Sequence, residues 1–232
     1  MSFSGFPSGT VSFYGEINNN NNREWFAEHK SDYNDLVLAP AAEFVGTFGD
    51  RLRSLFPGIQ YDPRTSGSGS IMRIYRDTRF GRDKAPYKTW LGIVFWHGDR
   101  KKTDSPGYFF RLNHQGAHLH CGWHGLPKEV LHAFRSAVAD DRTGPKLDRI
   151  LSDLRESGYE IGEPHYKRVP KGYETDHPRA QLLKHADLGV TSPLIDPAEL
   201  GNERLIDLCA EHAGKMSPAF RWLVDLERHV DG

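Results

Sequence analysis

Long hydrophobic runs are missing from this chain of 232 residues. Nothing in it approaches the roughly 18–20 consecutive apolar residues that cross a bilayer, so no transmembrane helix is expected. Cysteine is scarce as well. Cys121 and Cys209 are the only two, too few for a disulfide framework or a thiolate zinc site, and reduced, buried thiols are expected instead. There is almost no net charge: 30 Lys and Arg stand against 31 Asp and Glu, a sum of -1, which on its own argues against a general binder of polyanions or membranes. The stretch Met1 to Thr10 lacks the basic and apolar blocks of a signal peptide, so a cytoplasmic protein with no membrane partner is expected. No HExxH, GxSxG or P-loop pattern occurs, which disfavours a zincin, a serine-hydrolase elbow and a Walker-type nucleotide site, and no cofactor is expected.

Hydrophobic residues make up 38% of the chain and include 13 Phe, 9 Tyr and 5 Trp, so large rings supply much of the buried area and wholesale disorder is excluded. At this length a single domain over residues 1–232 is expected. The charge is also unevenly placed. From Arg64 to Arg111 there are eleven basic residues and four acids. That segment carries +7 and everything outside it carries -8, so a neutral total hides a basic middle, and the local field decides which ligand is attracted.

Periodicity divides the chain into helices, then strands, then mostly helices. Ser12 to Tyr14 open a short helix or turn, and the run Asn18 to Asn22 offers cap side chains for a helix from Arg23 to about Leu38, with Trp25, Phe26, His29, Tyr33, Leu36 and Val37 on one face. Pro40 interrupts or restarts it. Phe44, Val45, Phe48, Leu52 and Leu55 mark a second helix that stops at Phe56-Pro57-Gly58. After a Ser/Gly-rich stretch at Thr65 to Ser70, strands are predicted at Ser70 to Tyr75 and Thr89 to His97. Tyr108 to Leu112 and Ala117 to Cys121 form a hairpin around the four residues Asn113-His114-Gln115-Gly116. Its alternation puts Tyr108, Phe110, Leu112, Ala117, Leu119 and Cys121 on a core face, with Phe109, Arg111, His118 and His120 on the other. Helices return after Gly125, one with Val130, Leu131, Phe134 and Val138 and one with Leu147, Ile150, Leu151 and Leu154. A loop with short strands covers Tyr159 to Asp176, and Asp176 is positioned to cap the next helix. A strand near Asp187 to Thr191 and two helices, Ala198 to His212 and Pro218 to His229, complete the chain. This order predicts an α+β fold with a mostly antiparallel central sheet and helices at both ends.

Three stretches are more specific than composition: Asn20-Asn21-Asn22-Arg23-Glu24-Trp25-Phe26, the run from Arg73-Ile74-Tyr75-Arg76-Asp77 through Lys84-Ala85-Pro86-Tyr87-Lys88, and Lys167-Arg168-Val169-Pro170-Lys171 leading to Asp176-His177-Pro178. Together they resemble the family known as domain of unknown function 2461, over about Phe13 to Leu226. The resemblance implies a single α+β domain and no particular reaction. The hairpin departs from it: similar proteins carry Gly and small residues there, whereas this chain carries His114, His118, His120 and His124.

The basic run carries the chemistry. Guanidinium forks suit phosphate or carboxylate oxygens and Lys supplies a compact charge, so Arg73, Arg76, Arg79, Lys84 and Lys88, beside Tyr75 and Tyr87, are candidate contacts for an anionic small molecule or nucleic acid. Asp77 and Gly81 suggest that the strand opens into a loop. Arg23, Lys167 and Arg168 join the candidate contacts, and Glu24, Asp77 and Asp83 are the acid/base candidates if a reaction occurs. A structural reading stands beside this one, in which ion pairs such as Arg76-Asp77 and Asp83-Lys84 fasten a long loop and bind nothing. Trp25, Tyr75, Tyr87 and Trp90 interleave with the cations as a stacking groove for nucleic acid requires. Two other functions remain open: a metal-dependent hydrolase using the hairpin histidines with Cys121, and a noncatalytic interaction scaffold. No metal site is assigned, because His118 and His120 alone are too few ligands.

Overall fold

The computed structural model describes residues 3–79 and 82–231; Phe80 and Gly81, which belong to the basic run in sequence, lie outside the described residues. The fold is α+β. Two compact units divide the chain, the first holding residues up to 95 with 109–119 and 194–211, the second holding 96–108, 120–193 and the remainder.

Helix α1, Ser8–Asn19, runs well beyond the turn expected around Ser12 to Tyr14, burying Thr10, Phe13, Tyr14 and Ile17 on one side. The long helix expected from Arg23 is broken instead. Helix α2, Arg23–Glu28, begins at Asn22, whose side chain accepts the Trp25 N–H at 2.9 Å. It ends at His29, because the imidazole stacks on Trp25 with centroids 4.1 Å apart and its Nδ1 takes the Trp25 carbonyl. A single turn α3, Lys30–Asp32, then widens into a π-helical turn at Tyr33–Leu38 and continues as α4, Ala39–Leu55. The α-helical pattern thus restarts at Ala39-Pro40 without the chain leaving the helix. Pro40 sits in the first turn of α4, where a missing N–H costs least, and the Leu36 carbonyl four residues back receives the buried Thr10 hydroxyl at 2.5 Å. Helix α4 buries Phe44, Val45, Phe48 and Leu52 and closes at Phe56, with Gly58 at a φ of 101°.

Six strands form one sheet in the order β1-β2-β3-β4-β6-β5. Strand β1 is Ile59–Gln60, β2 is Leu91–His97, β3 is Gly107–Asn113 and β4 is Gly116–Trp123. The expected strand at Ser70 to Tyr75 does not form. Only two isolated antiparallel bridges appear, Ile71 to Ile93 and Tyr75 to Tyr87. The second bridge is bonded through Arg76 N–H to the Pro86 carbonyl and Lys88 N–H to the Ile74 carbonyl, while on the opposite edge the Tyr87 N–H donates to the Asn21 side-chain oxygen and the Tyr87 carbonyl accepts from the Asn21 side-chain N–H, both at 3.0 Å. In the hairpin the loop shortens to His114 and Gln115, with Asn113 accepting the Gln115 N–H. The expected alternation is present: Phe110, Leu112, Ala117, Leu119 and Cys121 are buried while Arg111 is exposed.

In the second unit, α5, Lys128–Ala139, and α6, Gly144–Glu156, bury the expected apolar faces through Val130, Phe134, Val138, Leu147, Leu151 and Leu154. Strand β5, Glu160–Ile161, pairs antiparallel with β6, Leu188–Thr191, which pairs antiparallel with β4 at Cys121 to Val190 and Gly122 to Gly189. Asp176 does not cap the short helix α7, Ala180–Leu183: the cap residue is Arg179, whose N–H goes to His177 Nδ1. One helix, α8, Arg204–Asp231, replaces the two expected at the end. Pro218 stays inside it because Pro218 and Gly214, four residues earlier, both face solvent, so the carbonyl left without a donor is open to water.

The first unit is cored by rings, with Phe44 4.6 Å from Phe110 and 5.3 Å from Phe48, and Phe3 5.2 Å from Phe6. Both cysteines are free and buried, as expected. Among the described residues no helix is long and apolar enough to cross a membrane.

Candidate functional site

The Asn run does two jobs on the same short stretch. Asn22 starts α2, and Asn21 pins Tyr87 by its backbone. Tyr87 is thereby fixed against Phe26, their rings stacked 4.2 Å apart, and the residues on either side of it are presented along one wall. That wall bounds a cavity of about 510 Å³ in the first unit, lined by Asn18, Asn21, Arg76, Asp77, Asp83, Ala85, Tyr87, Lys88, Thr89 and Trp90.

The charges in the loop are arranged by its own carboxylates. Arg76 Nη1 lies 2.5 Å from Asp83 Oδ2, and the other Asp83 oxygen accepts the Ala85 N–H at 2.9 Å. Asp77 receives Arg79 through both oxygens, with the shortest contact at 2.7 Å. The ion pairs expected from sequence adjacency, Arg76-Asp77 and Asp83-Lys84, are thus replaced by Arg76–Asp83 and Arg79–Asp77. Lys84 instead donates to the Thr78 carbonyl at 2.8 Å, and Lys88 donates to the Arg73 carbonyl at 2.5 Å.

These contacts set the proton affinities. The Arg79 side chain holds Asp77 below the usual carboxylate range. The Ala85 N–H and then Arg76 do the same for Asp83. Burial, followed by the nearby Arg73 charge, pushes Lys88 down, and burial pushes the Tyr87 hydroxyl up. Carboxylates so firmly ionised are poor proton donors. Lys88 Nζ also sits 5.3 Å from the Trp90 ring centroid, which the Arg111 guanidinium approaches to 4.9 Å.

All four carboxylate oxygens in the cavity wall are engaged by the loop itself. Free hydrogen-bonding capacity is therefore weighted toward donors. The side chains of Asn18 and Thr89 and the Trp90 indole N–H have no hydrogen-bond partner among the described residues, and Arg76 uses only part of its five-donor fork. The cavity wall is formally neutral in charge yet rich in donors.

Of the residues singled out from sequence, Arg76, Asp77, Asp83, Tyr87 and Lys88 line this cavity. Arg23, Glu24, Arg73, Tyr75, Arg79 and Lys84 are exposed residues of the same unit outside the lining, and Tyr75 is 56% exposed beside Tyr87. Lys167 and Arg168 are exposed residues of the second unit. Trp90, named from sequence as part of a stacking groove, also lines the cavity, whereas Asn18, Asn21, Ala85 and Thr89 are not among the site residues named from sequence. For Asn21 the signal is the Asn run, which favours capping over ligand contact; Thr89 carries no local signature at all.

The hairpin histidines do not assemble a metal site. Among the described residues no group of three or more His, Cys, Asp or Glu side chains is placed to hold an ion. His120 Nδ1 lies 2.8 Å from the Thr191 hydroxyl, and His124, fully exposed, lies 3.4 Å from Asp187. Burial raises the Cys121 thiol far from a thiolate.

The family model described as a conserved hypothetical protein (DUF2461) matches residues 9–222, nearly the whole chain. No curated protein and no solved structure matches it.

Proposed function

We propose, from the premise that the chain belongs to the conserved hypothetical protein family DUF2461, that the cavity beside the basic run binds an anionic, phosphate-containing ligand. The observation that carries this reading is the donor-weighted wall. Arg76 and Lys88 line the same space as Asn18, Thr89 and Trp90, whose side-chain donors have no hydrogen-bond partner among the described residues, while every carboxylate oxygen there is engaged by the loop. A volume of about 510 Å³ lies inside the roughly 300–1,000 Å³ typical of small-molecule sites. A phosphate-bearing metabolite fills such a space, and nucleic acid is the extended form of the same chemistry, with Tyr75 exposed nearby as a stacking surface. A noncatalytic scaffold has no need of this concavity, and the histidine hydrolase has no convergent ligand set among the described residues.

Calorimetric titration with phosphate monoesters and oligonucleotides tests the reading. Wild-type protein is expected to bind at least one of them, and Arg76→Ala to weaken it by about ten- to a hundred-fold, the worth of a charge-assisted hydrogen bond. Unchanged binding in folded Arg76→Ala removes the cavity from consideration.

A further inference from the structure

The lining contains a carboxylate already seated where a ligand's anion would go. Arg76 is the only guanidinium among the lining residues, and its Nη1 is held by Asp83 at 2.5 Å. No anion reaches that part of the fork without sharing it with Asp83 or displacing it. Asp83 is built for displacement. Its side chain is 66% exposed, and its second oxygen is anchored to the Ala85 N–H, so the carboxylate can leave Arg76 while staying hydrogen-bonded in the loop.

We infer that Asp83 makes this a phosphomonoester site, a resident monoanion that turns away carboxylates and the phosphodiesters of nucleic acid and gives way to a dianionic phosphate. The inference rests on the anion-binding reading above and narrows it. Asp83 competes from seven residues away along the same chain, at the millimolar effective concentration of a short tether. A free carboxylate or a diester phosphate brings one charge, no more than the group it must replace. A phosphomonoester brings about -1.5 to -2 near neutral pH and three terminal oxygens, enough to engage the Arg76 fork and the Lys88 ammonium together.

The test is calorimetry on the full chain at fixed ionic strength with three probes: glycerol 3-phosphate, a dinucleoside monophosphate lacking a terminal phosphate, and acetate. Wild type is expected to bind the monoester at least about ten-fold more tightly than either of the others. In Asp83→Asn, and in Asp83→Ser as a second variant, the diester and acetate gain at least about five-fold relative to the monoester. Asp77→Asn is the control, because it removes the same charge from the same wall but from a residue paired with Arg79; there the ratio stays at its wild-type value. The inference is overturned if wild type binds the diester as tightly as the monoester, or if Asp77→Asn shifts the ratio as far as Asp83→Asn. If no probe binds either wild type or the Asp83 variants, the anion-binding reading itself is lost and this one with it.

Discussion

Asp83 is a charged residue whose partners could not be assigned by adjacency. Its neighbour Lys84 reaches the Thr78 carbonyl, and Asp83 instead bridges Ala85 and Arg76. A carboxylate that accepts a backbone N–H and a guanidinium is stabilised in its charged form, so its folded value lies below the ordinary one. The linkage then has a definite sign: whatever this contact adds to loop stability is fully present above the ordinary Asp value and is lost as pH falls through the lowered one. Carbon-detected titration of the Asp83 carboxyl is expected to give a midpoint below that of an exposed Asp. Arg76→Ala should move it up only part of the way, because the Ala85 N–H remains. An unchanged midpoint in that variant would show that the pair does not form in solution. Residue types were legible here and their pairing was not, since pairing depends on how the loop turns.

At the scale of elements, the alternation of β3 and β4 and the apolar faces of α4, α5 and α6 could be read directly, because burial on one side leaves a period in the sequence. Two of the departures are places where a side chain from a distant segment meets a backbone group. Thr10 satisfies Leu36 and lets the helix pass Pro40; Asn21 holds both backbone groups of Tyr87 on the edge turned away from Tyr75. Neither contact has a local signature. Thr10→Val, nearly isosteric, is expected to destabilise the protein by about 1–3 kcal/mol by leaving the Leu36 carbonyl without its donor, measured by urea unfolding with the slope unchanged. A loss under about 0.3 kcal/mol would mean that water reaches that carbonyl and that the Thr10 hydroxyl is not what carries the helix past Pro40.

For the whole molecule, the near-zero charge with which the chain first presents itself conceals a basic middle of +7 set in a remainder of -8. The structure resolves that middle further. Arg76, Arg79, Lys84 and Lys88 are tied to partners within that stretch, and what the cavity keeps is a small set of donors rather than a broad positive field. The α+β class and the identity of the basic run were visible in the sequence, as were Arg76, Asp77, Asp83, Tyr87, Lys88 and Trp90 of the cavity's lining. Asn18 and Thr89 join the site only through folding. The most direct test of the account is a proton–nitrogen correlation spectrum of the full chain during titration with glycerol 3-phosphate. Saturable shifts concentrated at the Trp90 indole, the Asn18 and Asn21 side-chain amides and the backbone from Tyr87 to Trp90 are predicted. Shifts confined to the exposed Lys167 and Arg168 region, or none at all at millimolar ligand, would contradict it.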